Sequence, residues 1–125
     1  MALTEPTRKE VFQLEAALSS ADGDEDLLLE IVDLFLESCP KLVLAIKEAV
    51  ANCDAPALMR SAHALKGSVG YFGAPRALEA VLKLEQMGHE GNWSRVGYGL
   101  SQLEDALEEL EPALIALTNE LKRST

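Results

Sequence analysis

The sequence predicts an all-α fold, an antiparallel up-down-up-down four-helix bundle with an additional short helix at its N-terminus. Three observations predict it. Leu, Ala and Glu dominate while β-branched runs and alternating stretches are nearly absent, a composition that favours helices. Apolar residues recur at helical period along four long segments. Short clusters of Gly, Pro and Asp separate those segments and leave connections too brief for anything but antiparallel neighbours. The 125 residues fit a single domain, 1–125, since domains usually run about 100 to 200 residues.

Each element follows from local signals. Thr7 and Glu10 have capping-box spacing ahead of Val11, Leu14 and Leu18, which predicts a short lid helix over about 7–19. Asp22, Gly23 and Asp24 end it and cap the next, expected over about 24–52, with Leu27, Leu28, Ile31, Leu34, Phe35, Cys39, Leu42, Ile46, Ala49 and Val50 at helical period. Pro40 interrupts that pattern without ending it and predicts a kink near Leu36, whose carbonyl the ring displaces. Asp54 and Pro56 open a third helix, about 54–72, with the seam Leu58, Ala62, Leu65, Val69 and Phe72. Pro75 starts a fourth, about 75–88, carrying Leu78, Val81, Leu82 and Leu84 and closed by Gly88 and Gly91. The fifth, about 92–122, repeats Val96, Leu100, Leu103, Leu107, Leu110, Leu114, Leu117 and Leu121. That seam suits either a bundle or a coiled-coil dimer, and the bundle is the expectation, as a monomer.

The charge balance excludes several functions. Eleven Lys and Arg against 21 Asp and Glu give a formal net charge of −10, which repels phosphate backbones and anionic lipid, so neither nucleic-acid binding nor membrane insertion is expected. No apolar run approaches the roughly 18 residues of a membrane span, and MALTEPTRKE lacks a signal-peptide core. The expectation is a cytoplasmic protein. Cys39 and Cys53 form no metal or redox motif and read as inert, partly buried thiols.

The third helix carries the chemistry. At about 100° per residue, His63 lies about 140° from the centre of the apolar seam and faces water. Met59, Lys66, Gly67 and Gly70 share its side. Gly67 and Gly70 each cost about 1 kcal/mol relative to Ala in a helix interior, and neither is on the seam. Their gain is access, because a surface without side-chain bulk lets another protein approach the imidazole. Between Asp54 and Glu79 the chain has no acidic residue, whereas Arg60, Lys66 and Arg76 lie inside that window, so the site suits an anion. His63 has no second ligand at i+3 or i+4, so no metal site is expected, and a convex bundle surface offers no pocket for small-molecule catalysis. A neutral imidazole can nevertheless attack an activated phosphoryl group that a partner presents together with its own metal and carboxylates. His89, in the segment GHEGN, reads as a solvated residue.

The segment AHALKGSVGYFGA, residues 62 to 74, resembles the signature of histidine-containing phosphotransfer (HPt) domains of bacterial two-component phosphorelays. The likeness extends through ALSSADGDEDLLLEIVDLFLESCPKL before it and LEAVLKLEQMGHEGN after it. The resemblance implies that His63 is the phosphoryl acceptor, that Lys66 balances phosphoryl charge and that Gly67 makes room for the partner. It further implies transfer between aspartates of response-regulator receiver domains, with no cofactor on this chain because the receiver carries magnesium; a hybrid histidine kinase is a related partner. Family members commonly have a small polar residue where Val69 stands, a difference assigned to packing. The resemblance also places Glu85 beside the imidazole, either orienting the ring or simply solvated, while Arg60 and Gly70 are supporting candidates.

The second helix has more apolar residues than one buried stripe needs. Leu29, Val32 and Leu36, together with Met59, are expected to contribute a receiver contact. Acid should slow the attack by protonating the imidazole, whose ordinary pKa is about 6.5. No autokinase activity is expected, because the chain has no Gly-rich nucleotide loop. The rival readings are a phosphorylation domain cut from a larger histidine kinase and a non-catalytic helical interaction module.

Overall fold

The computed structural model describes residues 11–123. Element order is α1 (Leu14–Ser20), α2 (Glu25–Ala51), α3 (Ala55–Tyr71), α4 (Pro75–Glu90), a 3-10 turn (Trp93–Arg95) and α5 (Val96–Arg123). There is no strand among the described residues. Successive long helices pack on one another, α2 closes on α5, and α1 lies against α2 and α3. The result is an all-α up-down-up-down bundle with an extra short helix.

The caps explain the boundaries. Asp24 and Asp54 accept hydrogen bonds from the Leu27 and Ala57 amides, each at 3.1 Å, and so satisfy N-terminal donors of α2 and α3. Pro75 opens α4 where its missing N–H is not needed. Gly91, at φ 69°, supplies the left-handed residue that ends it. Pro40 and Pro112 sit inside α2 and α5, and both helices continue past them.

Three boundaries differ from expectation. The lid is not one helix over 7–19, because Phe12 and Gln13 are not helical. Phe12 is buried, and the Gln13 amide donates to the Phe72 carbonyl at 3.0 Å instead of to its own turn; the Thr7 and Glu10 signal lies outside the described residues. Gly88 does not help close α4. It is buried inside the helix, where an added Cβ would stand 3.0 Å from Leu58 Cδ2, so its smallness serves packing. The fifth helix starts later, after the turn at Trp93–Arg95.

One continuous core joins α1 to all four long helices. Leu58, Ala62, Leu65 and Val69 of α3 and Phe72 at its C-terminal cap are fully buried, as are Leu103, Leu110, Leu114 and Leu117 of α5 to within 1%. The α5 seam is thus used inside the bundle. In α2 the buried set is Leu28, Val32, Phe35, Cys39, Ile46 and Ala49, so the stripe is centred on Val32, whereas Leu27 and Leu34 are exposed. Phe35 meets Phe72 edge to face, with ring centroids 5.2 Å apart, and locks α2 to the end of α3.

Candidate functional site

Because the α3 seam turns Ala62 and Leu65 fully inward, helical geometry turns His63 outward. Its side chain is 74% exposed. Gly67 and Gly70 follow one and two turns later, and a Cβ built on either meets nothing within 4 Å. Packing therefore does not require glycine at either position, in contrast to Gly88 and to Gly99, whose added Cβ would meet Leu84 Cδ2 at 3.1 Å. What the two glycines leave is an uncluttered approach to the imidazole along the helix.

The neighbouring helix completes the site. Glu85 projects from α4 so that Oε2 stands 3.7 Å from His63 Nδ1. Lys66 grips the same carboxylate, with Nζ donating to Oε1 at 3.1 Å and Oε2 at 3.3 Å. Lys66 and Glu85 are only 30% and 24% exposed, so the pair is held partly within the α3–α4 interface. At 3.7 Å the separation of Oε2 from Nδ1 is longer than a hydrogen bond, so the carboxylate faces the Nδ1 side of the ring without fixing its tautomer. Lys83 belongs to another face, pairing with Glu79 at 3.2 Å and lining the groove between α4 and α5. Arg60 is exposed one turn before His63, and His89 is exposed near the end of α4.

The expected contact of Leu29, Val32, Leu36 and Met59 is not brought together. Val32 is 0% exposed, a core residue unavailable to any partner. Leu29 and Leu36 are half-buried and turned about 140–160° around α2 from Leu34. One turn-pair beyond Leu36, Val43 lines the groove between α2 and α5, remote from the histidine face. Met59 does flank His63, but on its α4 side, where it packs near Gly88. The apolar residues beside the glycines are others. Ile31, Leu34 and Ser38 of α2 form a shallow groove with Ala64, Gly67, Ser68 and Tyr71 of α3, and Leu34 is 64% exposed. Their signal was the i, i+4, i+7 spacing of Leu27, Ile31 and Leu34, which a stripe centred on Val32 leaves over.

Both thiols stand apart from this site. Cys39 is fully buried, and burial together with the neighbouring Glu111 carboxylate pushes it up to about 12. Cys53 is exposed in the turn between α2 and α3 rather than partly buried. Among the described residues no group of three His, Cys, Asp or Glu is placed to hold a metal ion, and no helix is long and apolar enough to cross a membrane.

The fold and the site together define an all-helical bundle with an exposed imidazole on a glycine-bearing helix, beside a lysine–glutamate pair. The Hpt domain model matches residues 30–113. The chain belongs to that family, the histidine-containing phosphotransfer domains. It is 28% identical over 107 residues to the signal transduction histidine-protein kinase BarA of Shigella flexneri, covering 86% of this chain and 10% of that protein. With the sensor protein GacS of Pseudomonas syringae pv. syringae it shares 30% identity over 112 residues, covering 90% of this chain and 12% of the relative. The chain thus spans about a tenth of the length of these curated relatives. In fold it resembles the HPT domain of a hybrid histidine kinase from Shewanella, with TM-score 0.77, 21% identity, and 90% and 97% of the two chains covered. It also resembles histidine-containing phosphotransfer protein B of Pseudomonas aeruginosa, with TM-score 0.75, 23% identity, and 90% and 95% covered.

Proposed function

We propose that His63 carries the phosphoryl group of this phosphotransfer domain, accepting it from a receiver aspartate and passing it to another. The observation that carries this reading is the exposed ring on the glycine-bearing face of α3, with Nδ1 on the Glu85 side. In the accepting step the Nε2 lone pair attacks the phosphorus of a receiver aspartyl phosphate. The P–O bond breaks with its electrons leaving on the aspartate carboxylate, an N–P bond forms, and the positive charge that the ring gains lies next to Glu85. The return step reverses these changes onto a second aspartate. Magnesium belongs to the receiver, and this chain supplies no cofactor. It acts as an intermediate without autokinase activity, as a cytoplasmic monomer.

Receiver docking is assigned to the groove of Ile31, Leu34, Ala64, Gly67, Ser68 and Tyr71, with Met59 on the other flank of His63. The stretch between Asp54 and Glu79, free of acidic residues, keeps repulsive charge on α3 away from the incoming phosphoryl group. A domain of a longer kinase, as in the curated relatives, would use the same relay chemistry with a tethered partner.

Intact-mass analysis after mixing the protein with a phosphorylated receiver and magnesium tests this, with His63→Gln in parallel. One acid-labile phosphoryl group on the wild type alone supports the reading. Labelling of His63→Gln, or no labelling of the wild type by receivers or by a histidine kinase with ATP, overturns it.

A further inference from the structure

We infer that the groove between α2 and α5 is a second docking surface, fitted to a basic amphipathic helix of a partner protein. It is remote from the histidine face and does not depend on His63 as the phosphoryl acceptor. The floor of the groove is apolar, with Pro40, Val43 and Leu44 of α2 facing Leu107 of α5 across a volume of about 510 Å³. Leu44 is 57% exposed. Ile115, one turn beyond Glu111 on the same side of α5, is 49% exposed. Half-buried Leu36 stands one turn before Pro40 on the same side of α2. Leu36 and Val43, surplus to the buried stripe of α2, thus belong to this face. From Leu36 to Lys47 it runs for about 16 Å, some three helical turns. A strip of that shape between two helices is filled by a third, whose apolar side chains recur at i, i+3 or i+4, and i+7.

The rim sets the charge of the occupant. Glu104, Glu108 and Glu111 line the α5 edge at i, i+4 and i+7. Lys47, the cation of the lining, pairs with Glu104 at 3.5 Å. Among the described residues no basic side chain pairs with Glu108 or Glu111. The prolines add acceptors, because Pro40 brings no N–H to the Leu36 carbonyl and Pro112 brings none to the Glu108 carbonyl. On the outer edge of α2, Glu37 and Glu48 outnumber Lys41, all three exposed. A second copy of this chain suits the groove poorly, since each copy has a formal net charge of −10 and would lay one acidic rim on another. A helix with leucine-like residues on one face and Lys or Arg beside them satisfies floor and rim together.

The test uses the whole protein and three synthetic peptides of about 18 residues. One has leucine and lysine at amphipathic spacing, one has glutamate in place of the lysines, and one has serine in place of the leucines. In NMR titrations the leucine–lysine peptide is expected to shift the amide signals of Val43, Leu44, Leu107 and Ile115, and the other two are not. Leu44→Asp makes the protein more negative, which strengthens any unspecific attraction of a cation but places a carboxylate in the apolar floor. Fluorescence anisotropy is expected to show about tenfold weaker binding for Leu44→Asp and for Ile115→Asp, with Leu82→Asp, at an exposed leucine of α4, within about twofold of wild type. Thermal melts confirm that each variant is folded. No binding of the leucine–lysine peptide, equal binding of the serine peptide, shifts confined to the α2–α3 face, or unweakened binding by both Leu44→Asp and Ile115→Asp would each overturn the inference. Sedimentation of the protein alone as a dimer that Leu44→Asp dissociates would also overturn it, by giving the groove to a second copy. Failure of the wild type to accept phosphoryl would remove the acceptor reading and leave this comparison standing.

Discussion

Glycine has two uses in this bundle, and they lead to opposite predictions. At Gly88 and Gly99 a methyl group would press on leucine side chains, whereas at Gly67 and Gly70 it would enter open space. Gly67→Ala and Gly70→Ala should therefore each stabilise the fold by up to about 1 kcal/mol in urea denaturation, the helix-propensity gain with no clash to offset it. Gly67→Ala should at the same time slow phosphoryl acceptance, because its methyl occupies the approach to the ring. A stabilised variant with unchanged transfer would show that access is not what the glycine supplies. Thr118 makes a complementary case, since its buried Oγ1 has no hydrogen-bond partner among the described residues. Thr118→Val, which replaces that hydroxyl by a methyl of similar size, should raise stability by about 1 kcal/mol in the same assay.

At the scale of the element, the decisive variable is the rotational phase of α2. Val32→Asp would bury an unpaired carboxylate among leucines and should cost at least about 3 kcal/mol or prevent folding. Leu34→Asp, two residues away, should leave the denaturation midpoint nearly unchanged while weakening receiver binding about tenfold, as surface plasmon resonance would record. Normal binding by Leu34→Asp would move the docking face elsewhere. The same helix shows where sequence reasoning succeeds and fails. Its existence, caps and length were legible from Asp24, from the apolar period and from Asp54. Its phase was not, because leucine, isoleucine and valine occupy so many consecutive turns that two stripes about 100° apart fit the pattern. Only the packing of Phe35 on Phe72 selects one of them. In α3 the seam has single apolar residues separated by small or polar ones, so the outward direction of His63 and the inward direction of Val69 could be read directly. Glu85 was reached only through the family resemblance and left with two roles open, since its 3.7 Å approach to Nδ1 depends on how α4 folds back over the α3–α4 turn.

For the whole molecule, the buried Cys39 of α2 lies beside the Glu111 carboxylate of α5. Its thiol is pushed from 9.0 up to about 12, so the unfolded chain releases this proton at lower pH than the folded one. Its contribution to stability is complete below about pH 9 and is lost as pH rises from there towards 12. Chemical denaturation across that range should show an alkaline decline that is smaller in Cys39→Ala, although that variant starts from a lower stability because of its cavity. Alkylation at neutral pH should modify Cys53 and spare Cys39 until the protein unfolds.

The connections between the long helices are three residues at 52–54, three at 72–74 and, before the 3-10 turn, two at 91–92. Each helix thus finds its first partner next to it in the chain, and only the closure of α2 on α5 spans most of the sequence. A topology so dominated by local pairing places the domain among rapid folders, with refolding in microseconds to milliseconds. The α3–α4 hairpin, which bears His63, Lys66 and Glu85 together, can assemble before the ends of the bundle meet. A chain emerging from the ribosome would then have these three residues in register before α5 is complete.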